Sequence, residues 1–527
     1  MTVGSPALAG YSLAITRLNS RWLTRQFSNL NFPNKDKIPF AISTLQHIPF
    51  TIETSGSLLP SLIVLPQNDR YWKLLEGAAK RTRQWSIPMA MNIVWVLIAF
   101  FLTIVDSLVD FDNFINLPGD AGYSVTAAWT YLLPLVVGWL YVGCQTDAGH
   151  LRDALNDAHD IAYVATDAEP ILATQVTGRS ARAIEPSTNH IDHVNADEKK
   201  DTPIFNYSRV FIWSQHAEHI LKLYQHAAAK AHRRIAVRSG ERMAGPADGT
   251  ILSYYDRIGT EAEVVRYCTE EDEGPIDPNS RNGSPQIPST PSPPYSTHPP
   301  GPSALGSLIA GTYVNADTYA HGHLQSTAFK HDEEAPLAEV LTVPKQPLFT
   351  ARVLQRVVLA TIVGFGLQLC TTGAAILIHI NTPPKGTGCR AMTFLIYGVA
   401  ATVAFALLLF SSMLSHLVRH QSIPEERSGL ETFVGYTAAL TRWLGKSVAI
   451  ANGVGILITC TMQFAGTYDS CFCSSTTFGG SPNGIVWFIE GNVKGSEVYM
   501  YWISGLAMAF GASGLYSFVV YVVIPMR

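Results

Sequence analysis

Charged residues are scarce in this sequence: Asp, Glu, Lys and Arg make up 15% of 527 residues, against 47% hydrophobic residues. That share is poor for a soluble protein, and a net charge of only -4 leaves no overall field to draw in nucleic acid or another polyanion. Cysteine is scarcer still, and seven in so long a chain exclude a disulfide-framed secreted scaffold. The HExxH, GxSxG, Walker A and GxGxxG patterns are absent, so an enzyme of a familiar type is not indicated. Three histidine pairs, His216 with His219, His321 with His323 and His416 with His420, have ligand-like spacing. None has a carboxylate or cysteine set beside it, so no metal or cofactor is expected. Residues 1–14 lack the basic start and sustained apolar core of a signal peptide.

What the chain does have is long apolar runs. Residues 89–109, 125–143, 357–380, 392–414, 445–464 and 498–524 each approach or exceed the roughly 20 residues that a membrane-spanning helix needs. Pro134 lies inside the second run, where a membrane helix tolerates it as a kink. The expectation is an all-α membrane protein with six transmembrane helices arranged 2 + 4, separated by a large cytoplasmic insert that is partly helical and partly disordered. The implied divisions are a basic N-terminal region (1–88), a transmembrane hairpin (89–143), a cytoplasmic helical segment (144–269), a Pro/Ser-rich disordered linker (270–352) and a four-span block (353–527). Residues 1–86 carry ten Lys or Arg against four acids, while Asp106, Asp110, Asp112 and Asp120 in the first hairpin loop have no cation among them. The positive-inside rule then puts both ends of the chain in the cytoplasm, in the plasma membrane or a secretory-pathway membrane. Lys385 and Arg390 fall on the outer side and oppose this orientation.

Outside the spans, residues 57–66 are apolar but short and interrupted by Pro60, which suggests a buried strand or a surface-lying piece. In 147–165, Leu151, Leu155, Ile161 and Val164 share one helix face; in 205–237, Phe211, Ile220, Leu221, Tyr224, Ala227 and Ala228 do the same. The second stretch ends in Lys230, Arg233, Arg234 and Arg238, a patch suited to lipid headgroups or simply to a solvated helix face. The linker places Ser284, Thr290 and Ser292 each before proline and repeats PxxP spacing, so phosphorylation and a cytoplasmic protein partner are open there beside a plain linker.

A coupled transporter keeps ionisable groups deep inside its spans. These spans are almost bare of them, and Asn92, Gln368 and Gln463 remain as the polar intramembrane candidates. Small residues spaced four apart, with Gly453 and Gly455 in the fifth span and Gly505 and Gly511 in the sixth, read as helix-packing faces. Cys389, Cys471 and Cys473 lie in loops on one side of the membrane, and Cys460 lies about one turn inside it. A disulfide from Cys389 to Cys471 or Cys473 would tie two outer loops, with Cys460 a further partner. The blocks CQTDAGHLRDALNDAHDIAYVA (144–165), GCRAMTFLIYG (388–398) and YDSCFC (468–473) resemble those of uncharacterised multi-pass membrane proteins of filamentous fungi, a resemblance that implies no activity. The leading reading is a non-enzymatic membrane scaffold or signalling component whose cytoplasmic segment docks membrane lipids or a protein partner, with no nucleic acid. The alternative is a facilitator-type transporter or channel using spans three to six.

Overall fold

The computed structural model describes residues 2–52, 56–81, 119–142, 148–176, 182–186, 203–238, 253–269, 350–382, 387–421, 429–465, 467–468 and 495–524, with Val94, Ile98, Phe101 and Asp197 as single positions. Within these residues the chain is helical, apart from two short antiparallel strand pairs.

Among the described residues four helices are long and apolar enough to cross a membrane: α10 (Ala351–Asn381), α11 (Cys389–Gln421), α12 (Gly429–Phe464) and α13 (Gly495–Ser517), the last continued by a π-helical turn through Phe518–Val523. They were expected from their apolar runs, but α12 begins 16 residues earlier than its run did. Its extra turns carry Leu430, Phe433, Tyr436 and Leu440 on an exposed stripe, with Arg442 turned inward, so their average hydropathy is modest. Exposed apolar side chains cover the outer faces of all four helices, among them Ile362, Ile396, Ile450 and Leu515, as befits surfaces that meet lipid.

Residues 119–142 fold as two helices, α5 (Gly119–Trp129) and α6 (Leu132–Val142), in place of the single span expected over 125–143. The break falls at Thr130, four residues before Pro134, where the proline ring would strike the carbonyl of a continuous helix. The chain turns there through Thr130 N–H to Ala127 O and Leu133 N–H to Thr130 O. The first expected span, 89–109, lies outside the described residues except for three single positions, and so do 270–349.

The largest departure from expectation is α1 (Pro6–Ser28). Far from being part of a peripheral basic flank, residues 6–20 of α1 are buried on every face. Ser5 caps the helix, Pro6 occupies its first position, and Ala7, Ala9, Gly10 and Ala14 keep it slim enough to pack among the long helices. Gly10 and Gly364 meet backbone to backbone: a Cβ on Gly364 would lie 2.6 Å from Tyr11 N and 2.7 Å from Ala7 O.

The remaining elements form a polar-side unit around a second apolar core. It contains α2 (Lys37–Leu45), α3 (Leu58–Val64), α4 (Asp69–Arg81), α7 (Ala148–Asp160), α8 (Asn206–His232) and α9 (Glu261–Thr269). Strand β1 (Phe50–Ile52) pairs with β4 (Ile184–Pro186), Thr51 opposite Glu185, and β2 (Tyr163–Val164) pairs with β3 (Ile171–Leu172). Residues on both sides of the 89–143 stretch therefore build one core, not two separate regions. The stretch 57–66 is mostly the buried helix α3, because Pro60 falls in its first turn, where its missing N–H costs nothing. Arg257 closes α3: Nε donates to Val64 O at 2.8 Å, and Nη1 and Nη2 grip Asp69 at 2.9 and 2.8 Å. Trp72 Nε1 donates to Leu62 O at 2.8 Å, and Trp213 Nε1 to Ile42 O at 2.9 Å.

Two helices belong to both cores. Leu8, Leu13 and Ile15 of α1 and Tyr207, Val210 and Phe211 of α8 pack with the long helices. Leu23 and Phe27 of α1, with Trp213, Ile220 and Tyr224 of α8, pack in the polar-side core.

Candidate functional site

The polar groups inside the long-helix block are organised around the start of α1. A helix begins with unpaired N–H groups and a partial positive charge, costly to place among apolar helices unless acceptors are supplied. Gln368 supplies one. Its Oε1 accepts from Ala7 N–H at 3.1 Å, while Nε2 donates to Gly398 O at 3.2 Å and Thr402 Oγ1 at 2.9 Å, so one amide joins α1, α10 and α11. Gln368 lies 17 residues into α10, about 26 Å from its start, which carries the tip of α1 to roughly the middle of a bilayer.

The residues before α1 are held just as closely. Tyr397 OH donates to Val3 O at 2.6 Å, Asn452 Nδ2 to Gly4 O at 2.8 Å, and Ser5 Oγ to Ala401 O at 3.0 Å. A Cβ on Gly4 would overlap Ala449 O at 1.7 Å, and Gly453 lies against Gly4 on the same face of α12. Gly453 thus packs α12 on the segment leading into α1. Gly505 packs α13 on Ile378 and Ala374 of α10. The other two expected packing glycines do not: a Cβ on Gly455 or Gly511 would meet nothing within 4 Å, since both sit on open helix faces.

Further along α1, Arg17 is 1% exposed and donates from Nε to Val520 O (3.2 Å) and from Nη2 to Ile524 O (2.9 Å). Arg21 reaches Val523 O at 2.7 Å. The two cations cap the carbonyl end of α13, where they also oppose its partial negative charge. A third group joins α8, α11 and α12. Asp197, wholly buried, pairs with Lys446 and accepts from Tyr207 OH at 2.5 Å, while Arg442 donates to Ser415 Oγ at 2.6 Å and lies 3.9 Å from the Asp197 carboxylate. Burial and the adjacent carboxylate hold the Tyr207 phenol well above its usual range. Sequence spacing hides this cluster because its members are up to 249 residues apart.

The other sequence candidates scatter. Gln463 Nε2 lies 2.8 Å from His379 Nε2, His379 stacks on Phe394, and Gln463 Oε1 is buried without a partner. Cys460 is a buried free thiol packed beside Ile456, which removes it from the disulfide candidates. Cys389 is disulfide-bonded; Cys471 and Cys473 lie outside the described residues, as do Asn92, Ser284, Thr290 and Ser292. Lys230 is turned inward, donating to Arg266 O at 2.8 Å with its ammonium over the Tyr267 ring, so it does not belong to a lipid-facing patch. Arg233 and Arg238 are exposed and Arg234 is half-buried. Among the described residues no three His, Cys, Asp or Glu side chains converge as metal ligands.

Chemically, Gln368, Asn452, Arg17, Arg21, Tyr397 and Tyr516 act as clamps that bind backbone groups of a neighbouring segment, whereas threonines such as Thr361, Thr402 and Thr437 bond a carbonyl of their own helix. No protein-family model matches the sequence, and no curated protein or solved structure matches it either.

Proposed function

We propose that the chain is a multi-pass membrane protein that works without catalysis, as a scaffold or signalling component that presents a folded cytoplasmic unit rigidly against the bilayer. The observation that carries this reading is the sharing of α1 and α8 between the two cores, which couples any displacement of the polar-side unit to the long helices. With the tip of α1 occupying the middle of the block and Gln368 committed to it, the centre is built for cohesion. In this reading residues 89–143 complete a six-span topology, the Lys- and Arg-rich flank keeps the polar-side unit in the cytoplasm, and Cys389 bonds Cys471 or Cys473 across the outer loops. The Pro/Ser-rich residues 270–352 serve as the tether for a protein partner. The resemblance to fungal multi-pass proteins agrees with this and adds no activity.

The test is solute flux through proteoliposomes of the full chain. Ions and small polyols are expected to leak no faster than from protein-free vesicles. Saturable flux that falls in Gln463→Leu would replace the scaffold with a facilitator. That second reading has its own support: Gln463 Oε1, Thr372 Oγ1, Tyr123 OH and Thr126 Oγ1 are all buried without partners on α5, α10 and α12, and a polar path needs such groups.

A further inference from the structure

Arg356 lies in the second turn of α10, on the face that meets α1 and α8, and is 7% exposed. Its Cζ stands 4.1 Å from the centroid of the Trp22 ring, and Nη2 donates to Ser214 Oγ at 3.3 Å. Nε and Nη1 are buried and have no hydrogen-bond partner, and among the described residues no carboxylate lies within the 4.0 Å of an ion pair. Glu218 and Tyr11 are the electrostatic neighbours of this guanidinium. Glu218 Oε2 accepts from Thr350 Oγ1 at 3.1 Å, while Glu218 Oε1, Tyr11 OH and Trp22 Nε1 are buried and unpartnered. Unpaired donors on a buried cation thus stand beside an unpaired acceptor that does not reach them. Buried polar groups are ordinarily satisfied, and a guanidinium most of all.

We propose that this cluster binds the headgroup of a phospholipid, with Arg356 on the phosphodiester and Glu218 on an ammonium such as that of ethanolamine. Nε–H and the Nη1 hydrogens are charge-assisted donors of the kind that phosphate oxygens accept. Arg356 is five residues, about 8 Å, from the start of α10, which is headgroup depth for a helix that crosses the bilayer. Leu359 and Ile362, exposed by 43% and 62%, continue from it toward the membrane interior as a surface for an acyl chain. The carboxylate of Glu218 disfavours a bare anion and favours a headgroup that carries its own donor. This site is distinct from the surface patch at Arg233 and Arg238, and it rests on reading α10 as membrane-crossing.

The test uses the full chain, delipidated in detergent, with thermal unfolding followed while short-chain phosphatidylethanolamine, the matching diacylglycerol or inorganic phosphate is added. The phosphatidylethanolamine is expected to raise the midpoint saturably, the other two to leave it unmoved, and Arg356→Gln to abolish the rise. Glu218→Gln is expected to weaken the response to the ethanolamine lipid about tenfold while sparing a phosphatidylmethanol of the same chain length. No saturable rise would mean that ordinary water satisfies the cluster, and would overturn the proposal. An equal rise with inorganic phosphate would assign a soluble anion instead, and an equal rise in Arg356→Gln would move the lipid elsewhere. Should Arg356→Gln not fold, Glu218→Gln and Trp22→Phe decide, since unchanged dose dependence in both overturns the assignment. Release of the protein from membranes by alkaline carbonate would sink the membrane reading separately.

Discussion

Replacing Gly364 by alanine tests whether α1 really is seated against α10. A Cβ there would stand 2.6 Å from Tyr11 N and 2.7 Å from Ala7 O, against the 3.4 Å of ordinary contact, so α1 must retreat by about 0.8 Å. Both obstacles are backbone atoms of a helix buried on all sides, so no side-chain rotation relieves them. Overpacking of this kind costs about 1–3 kcal/mol, while alanine in place of glycine within a helix returns up to about 1 kcal/mol. The net expectation is a loss of roughly 1–2 kcal/mol. Gly366, two residues on in the same helix, provides the control: nothing lies within 4 Å of its Cβ position, so Gly366→Ala keeps only the gain. Unfolding of a protein this size is read as an apparent midpoint at fixed heating rate, and fluorescence-detected gel filtration of heated, detergent-solubilised samples gives it directly. Gly364→Ala should fall below the native chain and Gly366→Ala should match or exceed it. Equal midpoints for the two variants would mean that α1 does not dock as described.

Gln368→Leu should lower the midpoint through about 1–3 kcal/mol, because it strands the buried Ala7 N–H; in the same gel-filtration assay, a neutral result would show that α1 finds another cap. Arg257→Leu removes the clamp on Val64 O and Asp69 and should cost about 2–3 kcal/mol, measured by loss of near-UV dichroism from the polar-side tryptophans on heating. Cys268 is wholly buried and its thiol is pushed up to about 12 by burial, so maleimide labelling followed by peptide mapping should find it unreactive until the protein unfolds. His159 and His219 are held below the usual imidazole range by burial, with Arg182 beside the first and Lys222 beside the second. The unfolded chain therefore takes up protons first as pH falls below about 6.5, and their share of the stability shrinks toward pH 5. Replacing both by glutamine should flatten the midpoint-against-pH curve in that window.

The four long helices were legible because lipid-facing surface demands an unbroken apolar face, and a run such as 392–414 shows it without reference to any partner. α1 was not legible for the opposite reason. Ser12, Thr16, Arg17 and Asn19 look like solvent-facing residues until their partners are known, and Arg17 finds its carbonyls 503 and 507 residues away. Gln368 could be singled out as an amide inside a span, but its role as a cap for another helix depends on Ala7, 361 residues distant. The cluster at Asp197 escaped for the same reason, whereas Leu151, Leu155, Ile220 and Tyr224 were readable from helical spacing alone and are all buried.

The docking of α1 also imposes an order on biosynthesis. This helix leaves the ribosome long before α10 and α13 exist, yet Tyr516 OH bonds Gly10 O and Ser5 bonds a carbonyl 396 residues downstream. A segment too polar to enter the bilayer by itself must wait, unpaired, while several hundred residues are made, and only then slide into a socket that the last helices complete. Seating of α1 therefore has to follow the synthesis of α13, and any bulky fusion placed ahead of Val3 would have to pass into the same narrow seam.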